Sequence, residues 1–379
     1  MNTKLDEEHY VENSFLAHLQ RIGWRIFRQN KDNPEDVKEI INFNSSGEPV
    51  YGDSVNFRQS FREVILENKL KESIKRINPW IEDDQISEVV QRIKTPQANS
   101  LLEANREIHD LLLENTSVSE NRKTGEKSPT VKYIDFHNPD NNSFIAISQF
   151  KVNITGTEKH IIPDIVLFVN GLPLVVVECK SPSKADPINE AITQLMRYSN
   201  RRGEKEGNEK LFGYNLFMIA TSNQVAKLGT ITSEYDHFNE WKDPYPYKLS
   251  DISENKTITS QDVLVQGTLT KGNLLDILGI FTLFVEDSKG GGVVKTAPRY
   301  QQFRAVKKIL KRIKEGKTPE EKGGIVWHTQ GSGKSLTMMQ TVRAIYRDPE
   351  LCGFKIIFVT DREQLEKQLK DTSRSVGYT

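Results

Sequence analysis

Two apolar, β-branched runs between residues 161 and 180 flank an Asn170-Gly171 pair, and only three charges interrupt them. Asn-Gly between such runs is a hairpin signal, because both residues tolerate the positive φ of a tight turn. Asp164 lies in the first run, and Glu178 and Lys180 lie at the end of the second. A charge in a buried strand is costly unless something binds it. Two carboxylates with a lysine point to a divalent cation and an activated water.

Register tests that reading. Antiparallel partners have position numbers of constant sum. Asp164 and Glu178 lie opposite each other if the connection is a three-residue loop over Asn170, Gly171 and Leu172. A strict two-residue turn pairs Asp164 with Val177 and sends Glu178 to the other face. The reading therefore predicts a three-residue loop or a bulge. Lys180, two residues beyond Glu178, shares its face. A surface hairpin with ordinary charges is the alternative.

Pro163-Asp164 and Glu178-Cys179-Lys180 resemble the two halves of the PD-(D/E)xK nuclease signature. The resemblance implies that Asp164 and Glu178 hold Mg²⁺ and that Lys180 positions water or stabilises charge on the phosphate. That family often adds an acidic residue from an early helix. Residues 7–22 read as an amphipathic helix with Val11, Phe15, Leu19 and Ile22 on one stripe, and Glu12 beside it is the candidate metal ligand. A solvated helix charge is the other reading of Glu12. A helix is predicted over residues 186–199, with Gln194 and Tyr198 on the face of Ala191 and Leu195. The pair resembles a Gln-x-x-x-Tyr add-on in one branch of these nucleases, which steadies the site or contacts the DNA backbone. A satisfied polar pair on a half-buried helix is the alternative. Arg197, Arg201, Arg202 and Lys205 follow, either as a backbone contact or as a solvated loop.

The second constellation lies near the other end of the chain. Residues 324–327 read as a short buried strand running into His328-Thr329-Gln330-Gly331-Ser332-Gly333-Lys334-Ser335, then an apolar helix over 336–345. Strand, glycine loop and helix is the setting of a phosphate-binding loop. Thr329, Gly331, Ser332 and Gly333 supply small residues whose N–H groups wrap a phosphate. Lys334 reaches the β/γ-phosphates of ATP, and Ser335 binds Mg²⁺. The strict pattern wants glycine where His328 stands, a position that superfamily 2 helicases relax. Arg299-Tyr300-Gln301-Gln302 opens a helix upstream, and Gln302 resembles the helicase glutamine that reads adenine. Residues 355–360 read as the next strand, and Asp361, Arg362, Leu365 and Gln368 resemble a DNA-contacting helicase motif.

Between and before these blocks the pattern is coarser. Residues 34–114 read as mostly helical, with Phe57, Phe61, Val64 and Ile65 at helical spacing, as are Ile86, Val89, Val90 and Ile93. Residues 117–130 read as a loop, 130–136, 143–151 and 213–221 as strands, 222–260 as a loop excursion, 274–284 as a helix and 287–292 as a link. The fold class is α/β: a restriction-endonuclease-like nuclease domain over 1–260, with a helical region 1–115 and a core at about 130–225, then the start of a RecA-like P-loop domain over 261–379. The 379 residues suit two domains. Lys+Arg and Asp+Glu are both 52, so nucleic-acid contacts must come from local basic patches. Two distant cysteines, Cys179 and Cys352, exclude a disulfide framework and fit a cytoplasmic location. No apolar run reaches membrane-spanning length, and the first residues are not a signal peptide.

A PD-(D/E)xK domain followed by a superfamily 2 motor resembles the R (HsdR) subunit of type I restriction endonucleases. The blocks that carry the resemblance are residues 164–173 running into Glu178-Cys179-Lys180, the Gln194 and Tyr198 pair, Phe238-Asn239-Glu240-Trp241-Lys242, Arg299-Tyr300-Gln301-Gln302 and residues 328–335. The resemblance implies a motor and nuclease subunit that docks on methyltransferase (M) and specificity (S) subunits. It implies ATP-driven movement of double-stranded DNA and Mg²⁺-dependent cutting. The acidic Walker B pair of such a motor does not follow the P-loop, so the chain reads as an N-terminal fragment that hydrolyses ATP poorly alone. The rival readings are a type III or single-chain restriction enzyme, and a non-catalytic module that grips DNA.

Overall fold

The described residues of the computed structural model are 7–114, 116–252, 257–286, 292–360, 370 and 373. Among them, nine strands form one mixed sheet: β1 (Arg25–Gln29), β2 (Val37–Phe43), β3 (Pro49–Val55), β4 (Phe144–Ser148), β5 (Ile165–Val169), β6 (Leu172–Cys179), β7 (Phe217–Thr221), β8 (Ala226–Gly229) and β9 (Asn239–Glu240). Their spatial order is β9-β8-β7-β6-β5-β4-β1-β2-β3. The β5–β6 ribbon lies inside the sheet with every residue buried. That explains its unbroken apolar runs, since a strand covered on both faces has no solvent side to make polar.

Strands are parallel at two junctions, β1 with β4 and β6 with β7. A parallel pair needs a crossover, and helices supply both. α1 (Asn13–Arg21) buries Phe15, Leu16 and Leu19 over β1. α2 (Glu67–Ile77), α3 (Asp83–Lys94) and α4 (Leu101–Leu113) lie in the β1-to-β4 crossover. α5 (Pro187–Tyr198) carries the β6-to-β7 crossover and packs on both strands. Asp186 caps α5 by accepting from the Asn189 N–H, and Pro187 occupies its first turn, where a missing N–H costs nothing.

The ribbon's register resolves the choice between loop and bulge. Leu172 pairs with Val169 and Pro173 with Phe168 across a two-residue Asn170-Gly171 turn, and the register then shifts between Pro173 and Val175. The three-residue loop is absent; the bulge is present. Beyond it Val177 pairs with Ile165, so Glu178 comes opposite Asp164. Asn170 and Gly171 both have positive φ (50° and 83°). Asn170 is buried and tied on every side: its Oδ1 accepts from the Ser143 N–H at 2.7 Å, and its Nδ2 donates to Tyr133 O and Asn142 Oδ1.

Several expected elements differ. Residues 34–114 are not mostly helical, because β2 and β3 occupy 37–55 at the edge of the sheet. Their solvent-rich burial pattern leaves few apolar residues to reveal a period of two. Phe57, Phe61, Val64 and Ile65 lie in a connection instead, where Phe57 packs on Phe27 and the Arg58 guanidinium covers Phe150. The expected strand over 130–136 shrinks to Thr130–Val131. Residues 222–260, expected to be a loop, supply β8 and β9 as the far edge of the sheet. The expected helix over 274–284 ends at Phe281, where Thr282 bonds back to the Ile277 carbonyl and β10 (Leu283–Glu286) begins. Residues 287–291 of the expected link lie outside the described residues.

The chain beyond residue 257 is fastened to the nine-stranded sheet. α6 (Ser260–Leu269) packs on α1 and β8, with His18 against Gln266 at 3.0 Å and the Trp24 indole N–H donating to Leu269 O. β11 (Val293–Thr296) pairs with β10 and carries Lys295 into the interior. There Nζ donates to Asn105 Oδ1 at 2.7 Å and Asn215 O at 2.6 Å, and burial pulls its pKa down to about 7. α7 (Lys271–Asp276), α8 (Tyr300–Glu315) and α9 (Lys334–Arg347) are further helices of this part. Residues 324–327, expected to be a short buried strand, and 355–360, expected to be the next strand, form none: Ile325, Trp327 and Val359 are about nine-tenths exposed. A strand needs a hydrogen-bonded neighbour, and neither segment has one among the described residues. The helicase-like residues Asp361, Arg362, Leu365 and Gln368 lie outside the described residues.

Candidate active site

One end of the β5–β6 ribbon gathers the charges. Asp164 immediately precedes β5, Glu178 is the penultimate residue of β6, and Lys180 follows that strand. The bulge puts the two carboxylates across from each other. Asp164 Oδ2 accepts the Cys179 N–H at 2.7 Å, which pins this side chain to the opposite strand. Lys180 Nζ donates to Glu178 Oε1 at 2.6 Å and to Cys179 O at 2.9 Å. Glu7, from the turn before α1, accepts the Ser181 N–H at 3.1 Å and approaches Lys180 at 3.8 Å.

The electrostatics are those of crowded anions short of positive charge. Burial and the neighbouring Asp164 push the Glu178 carboxyl well above the ordinary range, against the pull of Lys180. Burial raises Asp164 as well, opposed by the Cys179 N–H and Lys180. Burial works against the Lys180 charge, but Glu178 overcomes it and the ammonium is held above the usual lysine value. Glu178 Oε2 is buried with no partner. Like charges this close keep a proton or attract a cation.

Glu12 stands on the α1 side. It is 3 % exposed, and burial and then Asp164 raise its pKa to about 8. Gln149 Nε2 donates to Glu12 Oε2 at 2.8 Å, and Oε1 is buried without a partner. Arg28 on β1 lies on the other flank, bonded to Glu8 at 2.6 Å. Gln194 Nε2 donates to the Tyr198 hydroxyl at 2.5 Å, and that hydroxyl donates to Ile162 O, two residues before Asp164. Burial and the Glu178 charge raise Tyr198 further. This pair therefore braces the segment that delivers Asp164. Arg201 is engaged with Ser233 O and the Glu234 carboxylate, while Arg202 is exposed.

Gln149, Glu7 and Arg28 were not among the residues singled out from sequence. Gln149 had a signal: with Ser148 it is the polar pair that follows the apolar run 144–147. Its neighbour across the sheet was not readable, because β4 and β5 are joined by a long connection.

Two carboxylates with an orphaned oxygen suit a magnesium ion, which takes one or two protein carboxylates and fills its other positions with water and phosphate. Among the described residues no three His, Cys, Asp or Glu side chains form a ligand set by themselves. The buried, partnerless oxygens of Glu178 and Glu12 are what a cation would satisfy. Glu12 also gives a stability test. Its folded pKa of about 8 exceeds the ordinary 4.5, so the folded state holds a proton that the unfolded state releases between those values. The stability this proton supplies is complete below pH 4.5 and lost as pH rises through 8. In chelator, Glu12→Gln is expected to gain several degrees in Tm over the native chain at pH 8.5 and little at pH 5, by thermal unfolding at both pH values.

The glycine loop of residues 328–335 forms the second constellation. Gly331 and Gly333 have φ of 76° and 79°, and α9 starts at Lys334. Lys334 Nζ donates to Thr329 O at 3.0 Å and His328 O at 3.3 Å, so it folds back over the loop. Ser332 is buried and its hydroxyl donates to Thr329 O, while Ser335 is half-buried in the first turn of α9. Gln302 Oε1 accepts the Arg299 N–H and its Nε2 donates to Gly333 O at 3.2 Å, which ties α8 to the loop. A cavity of about 600 Å³ lies between Gln302, Gly331 and Ser332 on one wall and His237, Glu240 and Trp241 on the other.

A family model described as the type I restriction enzyme R protein N terminus matches residues 4–237, and one described as SWI2/SNF2 ATPase matches residues 301–379. The type I restriction enzyme HindI endonuclease subunit of Haemophilus influenzae is 29% identical over 375 residues, covering 97% of this chain and 33% of that protein. A Methanocaldococcus jannaschii protein assigned by name to the MjaIXP endonuclease subunit is 28% identical over 397 residues, covering 98% of this chain and 34% of that protein. The chain spans about a third of the length of these curated relatives.

Proposed function

The chain belongs to the family described as the type I restriction enzyme R protein N terminus, and from that premise we propose that it carries the DNA-cutting centre and the start of the ATP-driven motor of such an enzyme. The observation that supports cutting most directly is the convergence of Asp164, Glu178 and Lys180 at the bulged end of one ribbon. Asp164 and Glu178 would hold Mg²⁺, with Glu12 beside them. Bound there, the ion would polarise a phosphate and make a nearby water acidic. Lys180, already protonated beside Glu178, stabilises charge developing on the phosphate. Gln194 and Tyr198 keep the Asp164 segment in place from α5. The substrate is double-stranded DNA.

The phosphate loop binds ATP in this reading. Lys334 leaves the Thr329 and His328 carbonyls for the β/γ-phosphates, Ser335 faces Mg²⁺, and the N–H groups of residues 331–334 cradle the phosphate. In this reading Gln302, on the wall of the adjoining cavity, exchanges its bonds to Arg299 and Gly333 for the adenine. The partners are methyltransferase and specificity subunits. The nuclease part extends to about residue 260, and the location is cytoplasmic. Among the described residues no helix is long and apolar enough to cross a membrane.

The test uses the full-length protein with candidate partner subunits, Mg²⁺, ATP and a circular plasmid. Linearisation that needs all of them supports the reading; none under any pairing of subunits removes it. Lys334→Ala is expected to weaken ATP binding by about 10²-fold or more, since it removes the charge placed for the phosphates. A fluorescent ATP analogue titrated into the variant measures this, and unchanged affinity would leave the loop without its assigned role.

A further inference from the structure

β4 ends where the chain does something unusual. Gln149 follows Ser148, the last residue of the strand, with φ of 56°, a left-handed conformation that a non-glycine residue rarely holds. Its main chain and side chain are both committed. The backbone N–H donates to Asp164 O at 2.7 Å, and the Phe150 N–H continues the pairing to Pro163 O at 3.1 Å. The side-chain amide donates to Glu12 Oε2 at 2.8 Å. One residue therefore joins the backbone that bears one site carboxylate to the side chain of another. A glycine would make the same backbone turn more easily. It would not supply the amide.

The amide has a direction. As a donor it engages Glu12 only through Oε2, which leaves the buried Oε1 without a partner. No other hydrogen bond to the Glu12 side chain is present among the described residues. Without Gln149 the carboxylate could rotate about its last torsion, which is broad for this residue type.

We propose that Gln149 is a positioning residue for DNA cutting, holding Glu12 Oε2 and the Asp164 backbone together so that Glu12 Oε1 is presented beside Asp164. The inference rests on Asp164, Glu178 and Lys180 being the cutting centre. Gln149 acts through Glu12, so its loss is felt at Glu12 or not at all.

The experiment uses the full-length protein assembled with the subunits that support cutting. Gln149→Met keeps the volume and the backbone cost but removes the donor. Gln149→Gly removes the donor and relieves the backbone. Both are expected to linearise plasmid about 10- to 100-fold more slowly and to bind Mn²⁺, measured by calorimetry without DNA, more weakly by a similar factor. Tm and DNA-stimulated ATP hydrolysis should stay near those of the native protein. Glu12→Gln combined with Gln149→Met should cut no more slowly than Glu12→Gln alone, the non-additivity of two groups acting as one. A merely structural glutamine predicts the opposite: Gln149→Gly tolerated, and losses that multiply in the double variant. Cutting and Mn²⁺ affinity within about threefold of native in Gln149→Met would overturn the inference. Glu178→Gln serves as the reference. If it is inactive while Gln149→Met cuts normally, only the role of Gln149 falls. If Glu178→Gln itself cuts normally, the cutting centre falls and this inference with it.

Discussion

Glu178→Gln in the assembled full-length protein is expected to cut plasmid DNA about 10²- to 10³-fold more slowly, the order of loss when one preorganised electrostatic group of a reacting site is removed. The glutamine keeps the shape of a side chain that is wholly buried, so the loss reports charge and not a cavity. Glu178 sits between two demands. Its Oε1 is bonded to Lys180 Nζ at 2.6 Å, and its Oε2 has no partner. Neutralising it removes a proposed cation ligand and leaves Lys180 with Glu7 as its nearest remaining carboxylate, at 3.8 Å. Asp164→Asn and Lys180→Met are expected to be as inactive, because each removes a different member of one charge set and such sets fail as units. Binding of DNA and hydrolysis of ATP should persist in all three, since the proposed phosphate loop is built from other elements. A rate of linearisation close to native in Glu178→Gln would end the assignment.

How much of this could be read without coordinates differs from residue to residue. The ribbon was legible because its signal is local: two apolar runs, an Asn-Gly turn and charges at its open end. The demand that Asp164 and Glu178 share a face even forced the irregularity, which appears as a bulge after Pro173. The α5 pair was legible for the same reason, since residues four apart on a helix must meet. Gln149 was not, because its contacts to Glu12 and Asp164 depend on how β4 lies between β1 and β5. Edge strands β2 and β3 were lost to polar composition. The segments at 324–327 and 355–360 have strand-like sequences, yet a strand is a property of a pair, and no partner lies beside them among the described residues. The loop at 328–335 has its glycine geometry regardless, because the turn and the start of α9 are local.

Gly171→Ala is expected to be the most damaging single methyl that can be added to the ribbon. With φ of 83°, residue 171 already lies where an alanine is strained by about 1–2 kcal/mol. The greater cost is contact. A Cβ there would stand 2.5 Å from Leu66 O and 2.8 Å from Leu70 N, both backbone atoms at the start of α2. Neither can swing aside as a flexible side chain would. Moving them breaks the Leu66 N–H to Gly171 O bond of 2.9 Å and disturbs a helix whose Leu70 and Ile74 are fully buried. Strain and overpacking together cost about 2–4 kcal/mol. Gly156→Ala is the control: its φ of 76° imposes the same strain, but nothing lies within 4 Å of the added methyl. Thermal unfolding of the full-length protein should therefore show a clearly lower Tm for Gly171→Ala and a small change for Gly156→Ala. The turn also sets which residues of β5 and β6 oppose each other, and a one-residue slip would send Glu178 to the far face. Gly171→Ala should thus lose cutting even at temperatures where it remains folded. Equal Tm for the two variants, with cutting retained, would show that the Asn170-Gly171 turn does not set the geometry of the site.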